Sequence, residues 1–436
     1  PLMPYWPESG STRLRCTKAN NMSDRVKGQY EAYPYPSRVS SAGGERDVFG
    51  PLEELEVFNH FVHQGARDWG QPFRVLVAGG GTGDASTVIG KQMKERGIQG
   101  EIVYLDLSSA SRAIAEERAG KLGLENVSFH TGTLLDVASM GFGTFDYINC
   151  SGVLHHLANP EDGVRALASV LAPGGAIGAM VYGELGRIGV YHAQDMLRML
   201  CGDEDLPTQV EFAKRALSAL PHSNWLVKNN EQKFTDTLDD VELVDRFLHS
   251  CDQAYRVTGC AELMAAGDLR ITEFVPTLLY QPETFISDPV ILARVQPMER
   301  QQRYAYTELV SGLISTHSFF AVRQEELEKP PLTLDDPSAI PELLPMSGTN
   351  LVNVLKRNRS LTLSLGAVTF NLPFQMSTVV ERFLSGIDGV TSLAELSVQA
   401  TGLEFSPNSY AAFKAEISGL YRLLNGTTAL VLHKGA

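Results

Sequence analysis

The sequence predicts an α/β fold, a doubly wound and mostly parallel sheet with a smaller α+β unit behind it. Over 50–323, short apolar runs alternate with helical stretches, as in a parallel sheet covered on both faces. One of those runs opens into a glycine-rich turn followed by a helix. Then Pro330, Pro331, Pro337, Pro341 and Pro345 fall among six acidic residues, which reads as an extended linker over 324–346 that sets off 347–436.

Composition narrows the class. The 436 residues exceed one ordinary domain, and 43% hydrophobic with 20% charged residues is a globular balance. A formal net charge of −14 argues against a nucleic-acid or membrane partner, since both need clustered positive charge. No uncharged apolar run reaches the roughly 18 residues that cross a bilayer; the longest lies around 175–183. Cys16, Cys150, Cys201, Cys251 and Cys260 are widely spaced without a Cys-x-x-Cys pair, so no metal site is expected and a cytoplasmic, reducing location fits. Residues 1–23 read as a disordered tail. Arg13, Arg15 and Lys18 against Glu8 give that tail some likeness to an organelle import segment.

Taken in order, strands are predicted at 74–78, 101–105, 127–130, 145–150 and 176–182, with helices at 85–96, 109–122 and 161–171. Pro173-Gly174-Gly175 reads as the stop of the third helix. Helical insertions follow over 184–262 and 284–312, each before a late strand (270–280 and 317–323), which together suggest an antiparallel edge. Behind the linker, helices at 374–384, 392–401 and 406–424 and a strand at 428–433 are similar in order to a small winged-helix module, with Lys356, Arg357 and Arg359 as a basic edge. Its default role is a dimer contact or a cap over the catalytic cleft.

Gly79-Gly80-Gly81-Thr82-Gly83-Asp84 follows the strand Val75-Leu76-Val77-Ala78, and glycine there permits a sharp turn and close approach of a ligand. Asp106, before Leu107 at the end of the next strand, is placed to accept hydrogen bonds from ribose hydroxyls. Together they predict nucleoside binding. A dinucleotide fingerprint starting at Gly79 would put Asp84 in the third glycine slot, an anion where a pyrophosphate meets a helix N-terminus. S-adenosylmethionine has no phosphate and carries a sulfonium cation, so the spacing favours that cofactor over NAD.

Ligands of such sheets lie outside the carboxyl ends of the strands. The loop after the third strand offers Thr133 and Leu134 to an adenine edge. The loop after the fourth, Ser151-Gly152-Val153-Leu154-His155-His156, brings two histidines that can meet cofactor and acceptor.

The order of glycine turn, acid after strand two, Gly-Val-Leu-His-His-Leu and Leu-Ala-Pro-Gly-Gly resembles a class I, seven-strand, Rossmann-like S-adenosylmethionine-dependent methyltransferase over about 50–323. The resemblance implies that Gly79, Gly81 and Gly83, with Gly80 between them, face the methionine part. It places Asp106 at the ribose, with Leu107 also in the cofactor site, Thr133 and Leu134 at the adenine, and Ser151, Gly152, His155 and His156 along the border of the methyl group. Two positions depart from the family pattern: Val77 stands where an acid is usual, and Thr133 where an acid often holds the adenine.

Tyr30-Glu31-Ala32-Tyr33-Pro34-Tyr35-Pro36 is similar to a segment before the glycine turn in one bacterial-type subgroup of that family. Its prolines stiffen a backbone that can present tyrosines to a cation, so 24–49 is expected as an aromatic lid, with Tyr33 and Tyr35 on the substrate. Tyr182, Arg187 and Tyr191 leave a strand end beside the acceptor. Arg187 suits an acceptor carboxylate or a surface pair with Glu184, and His156 or Tyr191 could serve as base. The function expected is methyl transfer to a small metabolite by a soluble enzyme, possible as a homodimer. The alternatives are a protein or peptide methyltransferase that uses its C-terminal module for recognition, and a non-catalytic cofactor-binding regulator.

Overall fold

The computed structural model describes residues 22–37, 50–228, 239–328, 330–358, 360–365 and 368–435. The expected tail up to residue 21 and part of the aromatic segment, 38–49, lie outside the described residues. The main sheet contains β1 (Phe73–Ala78), β2 (Gly100–Asp106), β3 (Val127–Thr131), β4 (Phe145–Ser151), β5 (Leu171–Gly183), the short β6 (Ala254–Tyr255), β7 (Leu269–Val275) and β8 (Thr316–Arg323). Its order is β3-β2-β1-β4-β5-β8-β7, with β6 beside the end of β5. β1 to β5 are parallel, and β8 runs against both of its neighbours, which gives the antiparallel edge. Strands such as β1 are buried along nearly their whole length, because helices cover both faces and every side chain meets apolar cover.

On one face Leu76, Val103, Ile148 and Ile177 pack with Leu167 and Phe319; on the other Val75, Val77 and Tyr147 pack with Phe58 and Phe320. The helices that place the site are α1 (Met22–Ala32), α2 (Leu55–His63), α3 (Asp84–Arg96), α4 (Ser109–Lys121), α5 (Pro160–Ser169), α6 (Ile188–Cys201) and α7 (Leu206–Ser218). Within the insertion, α6, α7 and the helix Asp240–Phe247 form a separate small core around Val190, Leu197, Leu217 and Phe247.

Several boundaries differ from the sequence reading. α5 ends at Ser169 and Leu171 already pairs with Phe145; pairing resumes at Tyr147 with Ala176, so Pro173-Gly174-Gly175 is an irregularity inside β5 and not a helix stop. Pro173 has no N–H to give the ladder, so the strand bulges there. β7 ends at Val275, and Pro276 leads into the 3-10 turn Thr277–Tyr280.

The segment 324–346, expected wholly as linker, contributes β9 (Ile340–Leu343), which pairs with β12 (Leu430–His433), and it buries Leu334 and Ala339. Apolar residues between its prolines outweigh the extended tendency. Also unforeseen are the helix Gly348–Asn358 and the hairpin of β10 (Ser360–Leu365) and β11 (Val368–Pro373). The three expected helices are Thr378–Gly386, Leu393–Thr401 and Pro407–Gly426, with side-chain caps from Ser377, Ser392 and Ser406. This unit docks on the back of the larger one, where the buried His60 of α2 bonds the backbone of Leu432 and Leu278 joins its core. Among the described residues no helix is long and apolar enough to cross a membrane.

Candidate active site

A cavity of about 1010 Å³ opens at the carboxyl ends of the parallel strands. Its wall includes Gly79, Gly80, Gly81, Asp106, Leu107, Thr133, Leu134, Ser151 and Gly152, and among the described residues none beyond Ser318 reaches it. The turn is built of glycine because the chain needs it: Gly79 and Gly81 have φ of 77° and 51°, and a Cβ on Gly81 would stand 2.6 Å from the Tyr35 carbonyl oxygen. Gly83 is not in the wall; at φ 99° it starts α3, and a Cβ there would meet Ala115 of α4. Its glycine serves helix packing, which corrects its assignment to the ligand.

The Asp106 carboxylate accepts the Gly81 N–H at 2.8 Å and the Ser108 N–H at 2.8 Å, which fixes its direction while free lone pairs remain. Burial pushes its pKa up. Asp84 is answered by Arg118 at 2.8 Å, whose guanidinium also holds the Thr82 carbonyl. The donor set therefore fits an adenosyl group: a carboxylate for two hydroxyls, a close-approach backbone turn, and an apolar wall at Leu107 and Leu134.

The aromatic segment lies directly on this turn. Thr82 donates its N–H to the Tyr35 carbonyl at 3.1 Å and its hydroxyl to the Pro36 carbonyl at 2.9 Å. Ser108 donates to the Tyr30 carbonyl, and the Glu31 carboxylate caps α4 through the N–H groups of Ser109 and Ala110. Tyr30 and Tyr35 enter the cavity wall, whereas Tyr33 packs against the core of the insertion. The stiff turn at Pro34 sends alternate tyrosines to different sides, so Tyr33 is corrected to a packing residue.

Opposite the glycine turn, His156, Tyr182, Arg187, Glu242 and Asp245 line the cavity. Cys251 sets two imidazole tautomers at once. Its carbonyl oxygen lies 2.7 Å from His156 Nδ1, which must donate, so Nε2 of His156 keeps a lone pair. Its N–H donates to His249 Nδ1 at 3.1 Å, so His249 carries its proton on Nε2, 3.2 Å from the Tyr30 oxygen. Tyr30 and Tyr182 then donate to the two oxygens of Asp245 at 2.9 and 3.1 Å. The rings of His156 and His249 stack at 3.7 Å, and burial drives the His249 pKa well below the usual histidine range. His156, Asp245 and His249 bring three metal-ligand atoms within 4.8 Å of one another, with the Tyr30 hydroxyl bonded to two of these residues.

His155 and Tyr191 do not border the cavity. His155 is fully buried, packed 4.0 Å from the Tyr182 ring, and neither of its nitrogens has a partner; burial holds it neutral. Neighbouring residues of a 3-10 turn point apart, so only one histidine of the pair can face the ligand. The Tyr191 hydroxyl accepts from Arg187 Nε at 3.3 Å, and burial raises its pKa, which makes it a poor base. Arg187 is buried and stacks 3.5 Å over Tyr182; Glu184 pairs instead with Arg256 at 2.6 Å. Burial opposes the Arg187 charge, but Tyr182, Tyr191 and Asp252 outweigh it and raise its pKa. Asp252 lies 3.6 Å away, and both Arg187 Nη2 and Asp252 Oδ1 are buried without a hydrogen-bond partner. Sequence reasoning missed Asp245. Asp245 sits beside Val244 and Phe247 on the apolar face of its helix, a buried acid that helical periodicity can reveal.

A family model for a methyltransferase domain matches residues 76–177. An uncharacterized protein of Synechococcus sp. is 30% identical over 70% of this chain and 72% of its own length. The tRNA 5-carboxymethoxyuridine methyltransferase of Escherichia coli is 36% identical over 26% of this chain, which spans 41% of that enzyme. Among solved structures, PKMT2 from Rickettsia typhi in complex with AdoHcy shares the fold, with TM-score 0.63 and 15% identity over 91% of this chain and 77% of that one.

Proposed function

The chain belongs to the class I S-adenosylmethionine-dependent methyltransferases, and we propose that its acceptor is a small metabolite with an N, O or S nucleophile and an anionic group. One observation carries the acceptor class: Arg187, a buried cation in the cavity wall, keeps Nη2 without a hydrogen-bond partner. Asp252 stands 3.6 Å from that nitrogen, near enough to balance the charge but too far to accept a hydrogen bond, so the donor stays open to a ligand anion.

S-adenosylmethionine supplies a methyl carbon activated by an adjacent sulfonium. Asp106 and Leu107 would hold its ribose, Thr133 and Leu134 its adenine, and Gly79 to Gly81 its methionine part. What the chain contributes to the displacement is alignment of the nucleophile about 3 Å from that carbon in a site closed to water. Tyr30 and Tyr35 close one side as a lid and put aromatic faces near the cation. His156 accepts the acceptor's proton at Nε2, and the Cys251 carbonyl keeps the ring in the tautomer that can do so. Arg187 orients the acceptor, while Asp245 fixes Tyr30 and Tyr182.

A second reading, transfer to a protein side chain, is supported by the exposed apolar rim of Leu309, Val310 and Leu313 next to the cavity-lining Ser311 and Gly312. Incubation of the protein with methyl-labelled cofactor and a desalted or complete cell extract separates the two. Label in low-mass anionic material, absent when small molecules are removed, is the expected result; label confined to macromolecules overturns the metabolite reading.

A further inference from the structure

Among the described residues the cavity wall contains five acidic side chains: Glu53, Asp84, Asp106, Glu242 and Asp245. Asp84 has Arg118, Glu242 has Arg246 at 3.6 Å, Asp245 has two tyrosine hydroxyls, and Asp106 is turned by backbone toward the ribose position. Glu53 is different. It is buried and, among the described residues, its carboxylate meets only neutral donors: the Asn149 side-chain amide at 2.9 Å and the backbone of Gly50 and of Glu53 itself. The charged group it feels most is Asp84, which repels it, and burial raises its pKa. A carboxylate placed in this way beside an open cavity is complete only when a cation arrives.

The strand order says which cation. Adenine at the end of β3 and ribose at the end of β2 put the remaining end of the cofactor over β1 and β4, the next strands in the sheet. Asn149 of β4 pairs with Val77 of β1, and Glu53 hangs from Asn149 at that place. We infer that the Glu53 carboxylate receives the α-ammonium group at the methionine end of S-adenosylmethionine, with Asn149 as its positioning residue; this rests on the cofactor placement proposed above. Tyr147 and Asn149 both donate to the Leu52 carbonyl, which fixes the segment that carries Glu53.

The test compares two ligands by calorimetric titration of the full chain. S-adenosylhomocysteine has the amino-acid end, and 5′-methylthioadenosine lacks it. Glu53→Gln keeps shape and hydrogen bonding but removes the charge. It should weaken S-adenosylhomocysteine by about tenfold or more and leave methylthioadenosine within about twofold. Equal loss for both ligands, or no loss for either, overturns the inference. If Glu53→Gln does not fold, Glu53→Asp, which retracts the charge, must give the same split. A wild-type chain that binds neither ligand would instead sink the cofactor placement.

Discussion

The two halves of the cavity are made by different means. The cofactor half comes from strand ends between Gly79 and Val153, where backbone N–H groups, glycines and the carboxylates of Asp84 and Asp106 form the surface. The acceptor half is assembled from side chains of Tyr30, His156, Tyr182, Arg187 and Asp245, contributed by the N-terminal helix, a strand, a 3-10 turn and the insertion. A local backbone motif fixes cofactor recognition, whereas acceptor recognition depends on long-range packing that can change without touching the sheet. The halves should therefore fail separately when broken.

The largest effect is expected in the cofactor half. Gly81→Val places a branched side chain at φ 51° and against the Tyr35 carbonyl, so the turn and the lid cannot both persist. Strain of this kind costs on the order of 1–3 kcal/mol before the clash is counted. Cofactor affinity should fall by about a hundredfold or more, with the melting transition still cooperative. Titration showing wild-type affinity would mean that the glycine turn does not support the ligand.

His156→Gln tests the other half. It should lower kcat by about 10²–10⁴-fold while cofactor affinity changes by less than about threefold, because His156 faces the acceptor side. A parallel loss of cofactor binding would break the division. Next in size, Arg187→Met should raise the acceptor KM by about 10–100-fold, the loss of one charge-assisted contact, with kcat at saturation nearly preserved. Arg187→Lys should recover part of it, since a point charge replaces a fork. An unchanged KM for both would remove the anionic acceptor.

The same division explains what could be read in the sequence. The glycine turn, Asp106, Thr133 and Ser151 are short-range signals, fixed by strand periodicity and by the spacing of one β-α-β unit, and all of them line the cavity. Arg187 and Tyr182 were legible because they leave a strand end. Asp245 was legible only as a buried acid on an apolar helix face, since the fold of the insertion decides which of its polar residues reaches the cavity. Gly83 misled because one motif mixes ligand-facing and packing glycines. Tyr33 and His155 misled because adjacent residues of a turn cannot all face one ligand. In 324–346 the prolines hid the apolar Leu334, Ala339 and Ile340 that anchor β9.

The smallest effect belongs to the docking of the C-terminal unit. His60 of α2 is buried between the Leu432 carbonyl and the Asn425 amide, and burial pushes its pKa down to about 4 from the ordinary 6.5. In the unfolded chain it takes up a proton as pH falls below 6.5; in the folded chain it resists until about 4. Its contribution is therefore fully present above 6.5 and lost progressively between 6.5 and 4, by an amount on the order of 1–3 kcal/mol. His155 and His249 add slopes of the same sign, so the measurement is a difference. Denaturation at pH 7.5 and pH 5 should show a smaller acid loss in His60→Gln than in the wild type, while the cofactor affinity of the two stays alike at pH 7.5. Equal acid loss in both would assign the pH dependence to His155 and His249 and not to the contact with the C-terminal unit.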